Sequence, residues 1–244
     1  MDNKKTILIT GGSKRIGASI AEYFHEKSYK IILHFNKSEE EAKKLQDKLL
    51  SRRKDSCEII QADFLKESSI QKAINSVLKT NKSLDVLVNN ASSYFPTPLL
   101  KANKDDWNNL LATNASVPFF MIQQLKLILE KNKSCVINIS DSMTNSGVKD
   151  YSVYLAAKSA LESITRSLAR ELAPKIRVNA IAPGVILWPE KNILDEERKQ
   201  KIVNKISLGR LGKPSEIAAV AYYLSQADYI TGQTLKVDGG RSSL

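Results

Sequence analysis

The sequence predicts an α/β protein, a doubly wound parallel sheet of about seven strands with helices on both faces. Three observations predict it. Short apolar runs alternate with amphipathic stretches along the whole chain. The runs lack the polar alternate positions of a half-solvated strand, so both of their faces are to be covered. The connections between them are short, which suits crossover helices joining parallel strands. At 244 residues, with 42% hydrophobic and 26% charged residues, the chain is long enough to bury one such domain.

The elements follow in order. A strand at 5–10 leads to a helix at 16–27, a strand at 30–35 to a helix at 39–53, and a strand at 57–62 to a helix at 68–80. A strand at 84–89 precedes one long helix at 104–131, a strand at 134–140 precedes a helix at 153–172, and a sixth strand covers 176–182. The strands are β-branched or Leu-rich, and the helices repeat apolar residues at helical spacing. A charged segment at 188–210, weakly helical at 195–205, is a candidate substrate lid. A helix at 214–224 and a short strand at 234–237 complete the pattern. No repeat and no Pro/Ser/Gly-rich linker divides the chain, so residues 1–244 read as one domain.

Composition excludes several classes. No apolar run reaches bilayer length, and the N-terminal residues lack the apolar stretch of a secretory signal. Cys57 and Cys135 lie in apolar runs and offer no disulfide framework, which fits a reducing, cytoplasmic setting. His25 and His34 have no Cys/His/Asp cluster around them, so no metal site is expected. The net charge is +11, but the 28 lysines and 9 arginines are spread along the chain. Their densest stretch, 42–55, keeps Leu45, Leu49 and Leu50 at helical spacing and reads as a solvated helix face. Neither nucleic acid nor a membrane is the expected partner.

The first strand runs into Thr10-Gly11-Gly12-Ser13-Lys14-Arg15-Ile16-Gly17 and then a helix. Glycines there permit a tight turn and close approach of a pyrophosphate, and the helix start supplies free N–H groups and a positive dipole end. A Rossmann-like site would place a dinucleotide across the carboxyl ends of the strands, where strand order reverses. The second strand ends His34-Phe35-Asn36-Lys37-Ser38, without the acid that an NAD ribose requires. Lys37 and Ser38 suit a 2′-phosphate instead, Lys14 and Arg15 add cations, and the expected cofactor is NADPH. Ser38 also forms a capping-box pattern with Glu41, and could serve that role alone. Asp63 either accepts from an adenine amino group or starts the next helix.

Tyr154 and Lys158 lie four residues apart on a predicted helix and share a face. An ammonium beside a phenol is expected to lower the Tyr pKa and make it a usable general acid. Tyr23/Lys27 has the same spacing, but Tyr154 follows the fifth strand near the sheet's carboxyl edge, whereas Tyr23 lies on a helix leaving that edge. Pro118 stands four residues after Asn114 and lacks an N–H. It either frees the Asn114 carbonyl to hold a water or simply kinks the helix.

With these residues the chain resembles the classical short-chain dehydrogenase/reductases along essentially its whole length. The matching motifs are Thr10–Gly17, Asn89-Asn90-Ala91, Asn114, Tyr154/Lys158, Pro183-Gly184, the run from Leu208 to Pro214, and Asp238-Gly239-Gly240. The resemblance implies that Tyr154 donates the proton, that Lys158 holds the nicotinamide ribose and tunes the Tyr, and that Asn114 belongs to a proton relay. It implies cofactor contacts from Gly11, Ile16, Gly17, His34, Phe35, Asn36, Asn90, Ala91, Ser92, Pro183, Gly184 and Ile186. It also implies a homotetramer.

Within that family, three departures resemble the pteridine reductases. Arg15 replaces the usual central glycine of the turn, Asp141 stands thirteen residues before Tyr154 where Ser is usual, and the loop from Asn89 to Leu99 is rich in aromatics and proline. The chemistry suits a pterin or folate. Reducing its C=N bond requires protonation of a ring nitrogen, and a carboxyl in a partly apolar pocket can orient the ring or carry that proton. Carbonyl reduction instead needs a neutral hydroxyl, because an ionised Asp would repel a developing alkoxide. A flat ring wants a stacking partner, by position Tyr94, with Phe95 as the alternative. Tyr151 matches a second substrate-side Tyr, and Arg15 and Ser92 are expected to touch both ligands. After Pro183-Gly184 the chain departs from the family with Val185-Ile186-Leu187-Trp188, where Trp188 is a second pocket wall or a lid anchor.

Overall fold

A computed structural model describes residues 5–188 and 195–243. Its centre is a seven-stranded sheet in the order β3-β2-β1-β4-β5-β6-β7, parallel at every pairing. The strands are β1 (Thr6–Ile9), β2 (Lys30–Phe35), β3 (Cys57–Gln61), β4 (Val86–Asn89), β5 (Cys135–Ile139), β6 (Arg177–Pro183) and β7 (Thr234–Val237). The helices are α1 (Arg15–Glu26), α2 (Glu39–Arg52), α3 (Glu67–Thr80), α4 (Lys104–Leu111), α5 (Val117–Leu129), α6 (Ser152–Glu171), α7 (Glu196–Val203) and α8 (Pro214–Gln226). This is the predicted architecture, with strand order reversing between β1 and β4.

The continuous apolar strands have a direct explanation. Alternate residues of a strand point to opposite faces. Ile7, Ile9, Ile31 and Leu33 pack on one face with Ile20 and Phe24 of α1 and Ile217 and Ala221 of α8. Leu8 and Ile32 pack on the other with Ile74 and Val77 of α3 and Met121 and Leu125 of α5. With helices on both sides, no central strand position faces water, and a polar residue there would need its own buried partner.

The expected single helix at 104–131 is a correction. It is built as α4, a π-helical turn at Ala112–Ser116, α5, and a 3-10 turn at Glu130–Asn132. The Val117 N–H reaches back five residues to the Ala112 carbonyl. Pro118 explains the widening, since it cannot donate to Asn114 four residues earlier and its ring crowds that carbonyl. Part of the candidate lid, residues 189–194, lies outside the described residues. The remainder contains α7, capped by Asp195, whose side chain accepts from the Arg198 N–H at 2.8 Å.

Candidate active site

The glycine turn is braced from three sides. The Gly12 N–H donates to the His34 carbonyl at 2.9 Å, and the Gly11 N–H donates to His34 Nδ1 at 3.1 Å. His34 Nε2 then donates to the Ala62 carbonyl at 3.1 Å, and the ring stacks on Phe64 at 4.0 Å. Burial pushes the His34 pKa down to about 4, so the ring is neutral and its tautomer is fixed by these two bonds. Its place is behind the turn. From β4, Asn90 Nδ2 donates to the carbonyls of Thr10 and Gly11 at 3.0 and 2.9 Å. The N–H groups of Asn90 and Ala91 both donate to Thr10 Oγ1. Gly17 must be glycine, because a Cβ there would stand 2.3 Å from the Gly11 carbonyl oxygen.

Arg15 has φ +53, a left-handed conformation that favours glycine. Its guanidinium donates to the carbonyls of Leu187 and Trp188 at 3.1 and 3.0 Å. It therefore ties the turn to the chain just after β6. Ile16 packs partly against the core of the same face.

At the end of β2, Phe35 is buried, and Asn36 and Lys37 are exposed. Ser38 Oγ lies 2.9 Å from Ser13 Oγ and makes no cap bond to α2, so the capping-box alternative is not formed. Lys14 Nζ pairs with Glu41 at 2.5 Å. Asp63 accepts from the Leu65 N–H at 3.1 Å, and its own N–H donates to Ser69 Oγ at 2.9 Å, while the cap position of α3 is Lys66. The first turn of α1 holds no acidic residue, Arg15 begins it and Lys14 is its N-cap residue. That donor set, N–H groups at a helix start with cations around them, fits the phosphates of a nicotinamide dinucleotide.

The candidate catalytic side chains come from α6, the π turn and the turn after β5. The Tyr154 hydroxyl donates to Asp141 Oδ2 at 3.1 Å. The other carboxylate oxygen, Oδ1, accepts from the Met143 N–H at 2.9 Å. Lys158 Nζ donates to the Ile139 carbonyl at 2.7 Å and lies 5.8 Å from the Tyr154 ring centroid. Burial holds the Lys158 pKa down to about 8, against the opposing pull of Asp141. The expected lowering of the Tyr154 pKa is corrected here. Burial, and after it the Asp141 charge, push the phenol well above its ordinary value, so Tyr154 keeps its proton firmly.

Asn114 is fully buried in the π turn, and its Nδ2 donates to the carbonyls of Ser93 and Leu110, each at 3.0 Å. Its side-chain oxygen has no hydrogen-bond partner among the described residues. Tyr94 is 55% exposed, stacked on Tyr151 at 4.8 Å and edge-on to Tyr154 at 4.9 Å. Phe95 packs into the small core with Leu110 and Leu155, and Tyr94 is the more exposed of the two. Ser92 is exposed, with its hydroxyl on the Ser93 carbonyl at 3.2 Å. The Pro183 carbonyl accepts from the Ser142 N–H at 3.1 Å, Gly184 abuts Asp238, and Ile186 is buried. Tyr23 and Lys27, the competing pair, pack instead against Tyr222 of α8.

Glu162 escapes the sequence reading. It accepts from Ser140 Oγ at 2.7 Å and Thr144 Oγ1 at 3.2 Å. The available signal was its spacing, four residues after Lys158 on the same stripe of α6. Among the described residues there is no metal-binding cluster, and no helix is long and apolar enough to cross a membrane.

Comparison with known proteins agrees with this geometry. A family model described as enoyl-(acyl carrier protein) reductase matches residues 11–242. The chain is 34% identical to a 3-oxoacyl-(acyl-carrier-protein) reductase FabG of Staphylococcus aureus, covering 98% of this chain and 99% of that one. It is 32% identical to the protein of the same name from Staphylococcus epidermidis, over 97% and 98% of the two chains. It is 33% identical to pteridine reductase 1 of Leishmania tarentolae, over 96% and 95%. With the turn, the Tyr/Lys pair and the parallel sheet in place, the chain belongs to the short-chain dehydrogenase/reductase family and is a nicotinamide-dependent oxidoreductase.

Proposed function

We propose that the protein is an NADPH-dependent pteridine reductase, reducing a C=N bond of a dihydropterin, and of dihydrofolate, to the tetrahydro form. The observation that carries this reading is the Asp141 carboxylate on the Tyr154 hydroxyl, beside the exposed ring of Tyr94. A reduced nicotinamide, when bound, supplies the hydride. Tyr154 holds a proton that burial and Asp141 keep in place at neutral pH. Asp141 bridges that proton to the edge of a nitrogen heterocycle, orienting a ring N–H or passing the proton on. Lys158, cationic below about pH 8, stabilises the phenolate as the proton leaves. The buried side-chain oxygen of Asn114, without a partner among the described residues, supports a polar anchor for a relay water. Tyr94, 55% exposed and backed by Tyr151, offers an aromatic ring to a planar bicycle. Lys37, Ser38 and Ser13, with no acid at the end of β2, support NADPH over NADH.

The relatives named FabG favour a second reading, reduction of a 3-oxoacyl thioester. That chemistry needs a neutral hydroxyl beside the Tyr. Ser140 is bonded to Glu162 and Ser142 is fully buried, and neither hydroxyl bonds to Tyr154. The Asp141→Ser variant separates the two. The proposal expects it to lose about a hundredfold in dihydropterin turnover while a carbonyl substrate is gained or unaffected. Unchanged dihydropterin turnover would contradict it.

The resemblance also leads us to propose a homotetramer. Exposed Trp107, Phe120 and Leu127 on α4 and α5 support self-association, as does a cavity of about 830 Å³ between α3 and these helices. Light scattering should give four times the chain mass, and a monomer would rule it out.

A further inference from the structure

We propose that Glu162 is a positioning residue for the Asp141 carboxylate, acting through the turn that carries it. This rests on the reading of Asp141 as the group that handles the substrate proton.

Asp141 sits in the turn at 141–144 that follows β5. A carboxylate on a turn has two soft side-chain torsions and a backbone that can swing, so its aim depends on what fixes the turn. Several bonds belong to the turn itself or to the sheet, among them those from the Met143 N–H to Asp141 Oδ1, from the Thr144 N–H to the Asp141 carbonyl and from the Ser142 N–H to the Pro183 carbonyl. The remaining side-chain anchor is Glu162. One of its carboxylate oxygens accepts from Ser140, immediately before Asp141, and from Thr144, three residues after it. The turn is thereby pinned at both of its ends to one atom.

The origin of that atom matters. Tyr154, Lys158 and Glu162 are spaced i, i+4 and i+8 on α6 and form one stripe along it. Each contacts the same stretch of chain. Lys158 takes the Ile139 carbonyl, Glu162 takes the hydroxyls of Ser140 and Thr144, and Tyr154 meets Asp141. A rigid helix thus sets both partners of the proton contact, presenting the phenol directly and the carboxylate through the turn. The Ser140 bond, at 2.7 Å, is a short charge-assisted bond to a carboxylate, and the Thr144 bond, at 3.2 Å, is a longer second tie to the same oxygen. A neutral acceptor of the same shape would keep the geometry, whereas a side chain without an oxygen would release both ends.

A double-mutant cycle tests this. Steady-state kcat and KM for dihydrobiopterin are measured with NADPH for the wild type, Glu162→Ala, Glu162→Gln, Asp141→Ala and the double variant Asp141→Ala/Glu162→Ala. Thermal melting and NADPH binding serve as controls of the fold. Glu162→Ala should lower kcat about tenfold with NADPH affinity unchanged, and Glu162→Gln should restore most of that loss. In the Asp141→Ala background, Glu162→Ala should cost nothing further. Equal losses in both backgrounds would overturn the proposal, as would a Glu162→Gln variant no better than Glu162→Ala. If Glu162→Ala fails to fold, Thr144→Val gives the same reading from one end of the turn. It should lower kcat about threefold in the wild type and not at all with Asp141→Ala, and equal losses in both would overturn the proposal. An Asp141→Ala enzyme with normal turnover would sink the reading of Asp141, and this proposal with it. An impaired Asp141→Ala with additive Glu162 effects would sink this proposal alone.

Discussion

Asp141, Tyr154 and Lys158 set opposite demands on one another. The carboxylate holds the phenol's proton in place and raises the Lys158 pKa, while burial lowers it to about 8. The sign for catalysis follows. Lys158 is charged below about pH 8 and loses its charge above, so its help to the departing proton is full at neutral pH and fades as pH rises. The kcat/KM of the enzyme should fall about tenfold per pH unit above that point. Tyr154 stays protonated across that range, so a descending limb first appearing near the ordinary Lys value would contradict this account. The Tyr154/Lys158 pair was legible from spacing. The direction of the Tyr154 shift was not, because it depends on burial and on a carboxylate thirteen residues away. Glu162 was not legible either, since a charged residue on an amphipathic helix looks the same whether it faces water or a turn.

Elements place these residues by where the strands end. The turns after β1 to β6 all open on one edge of the sheet, and the candidate cofactor and substrate residues lie at the ends of those strands, in those turns, at the start of α1, in the π turn or at α6. The glycine turn is the most constrained. Gly17→Ala would drive a methyl to 2.3 Å from the Gly11 carbonyl, so the turn must open and the N–H groups at the start of α1 lose their direction. The variant should fold with NADPH affinity reduced at least about tenfold, measured by fluorescence titration. Wild-type affinity would contradict the role given to this turn. Local sequence grammar failed in two elements, for different reasons. The capping-box pattern of Ser38 and Glu41 yields to longer-range partners, Ser13 and Lys14, and the helical periodicity at 104–131 hides the break that Pro118 imposes.

The sheet as a whole was the most legible feature, because strands covered on both faces must read as apolar runs and their parallel pairing follows from alternation with helices. The same burial makes the molecule sensitive to acid, most strongly at His34. His34 stays neutral in the fold down to about pH 4, whereas an unfolded chain takes up that proton near pH 6.5. Stability is therefore complete above 6.5 and is lost as pH falls toward 4, by up to about 3 kcal/mol from this group. Melting temperatures of the wild type and His34→Asn should converge across that window, and parallel curves would contradict the assignment. The function rests on one comparison of substrates. NADPH oxidation measured side by side with dihydrobiopterin and with an acetoacetyl thioester should give a kcat/KM at least about a hundredfold higher for the pterin. A thioester turned over as well as the pterin, or better, would contradict the account.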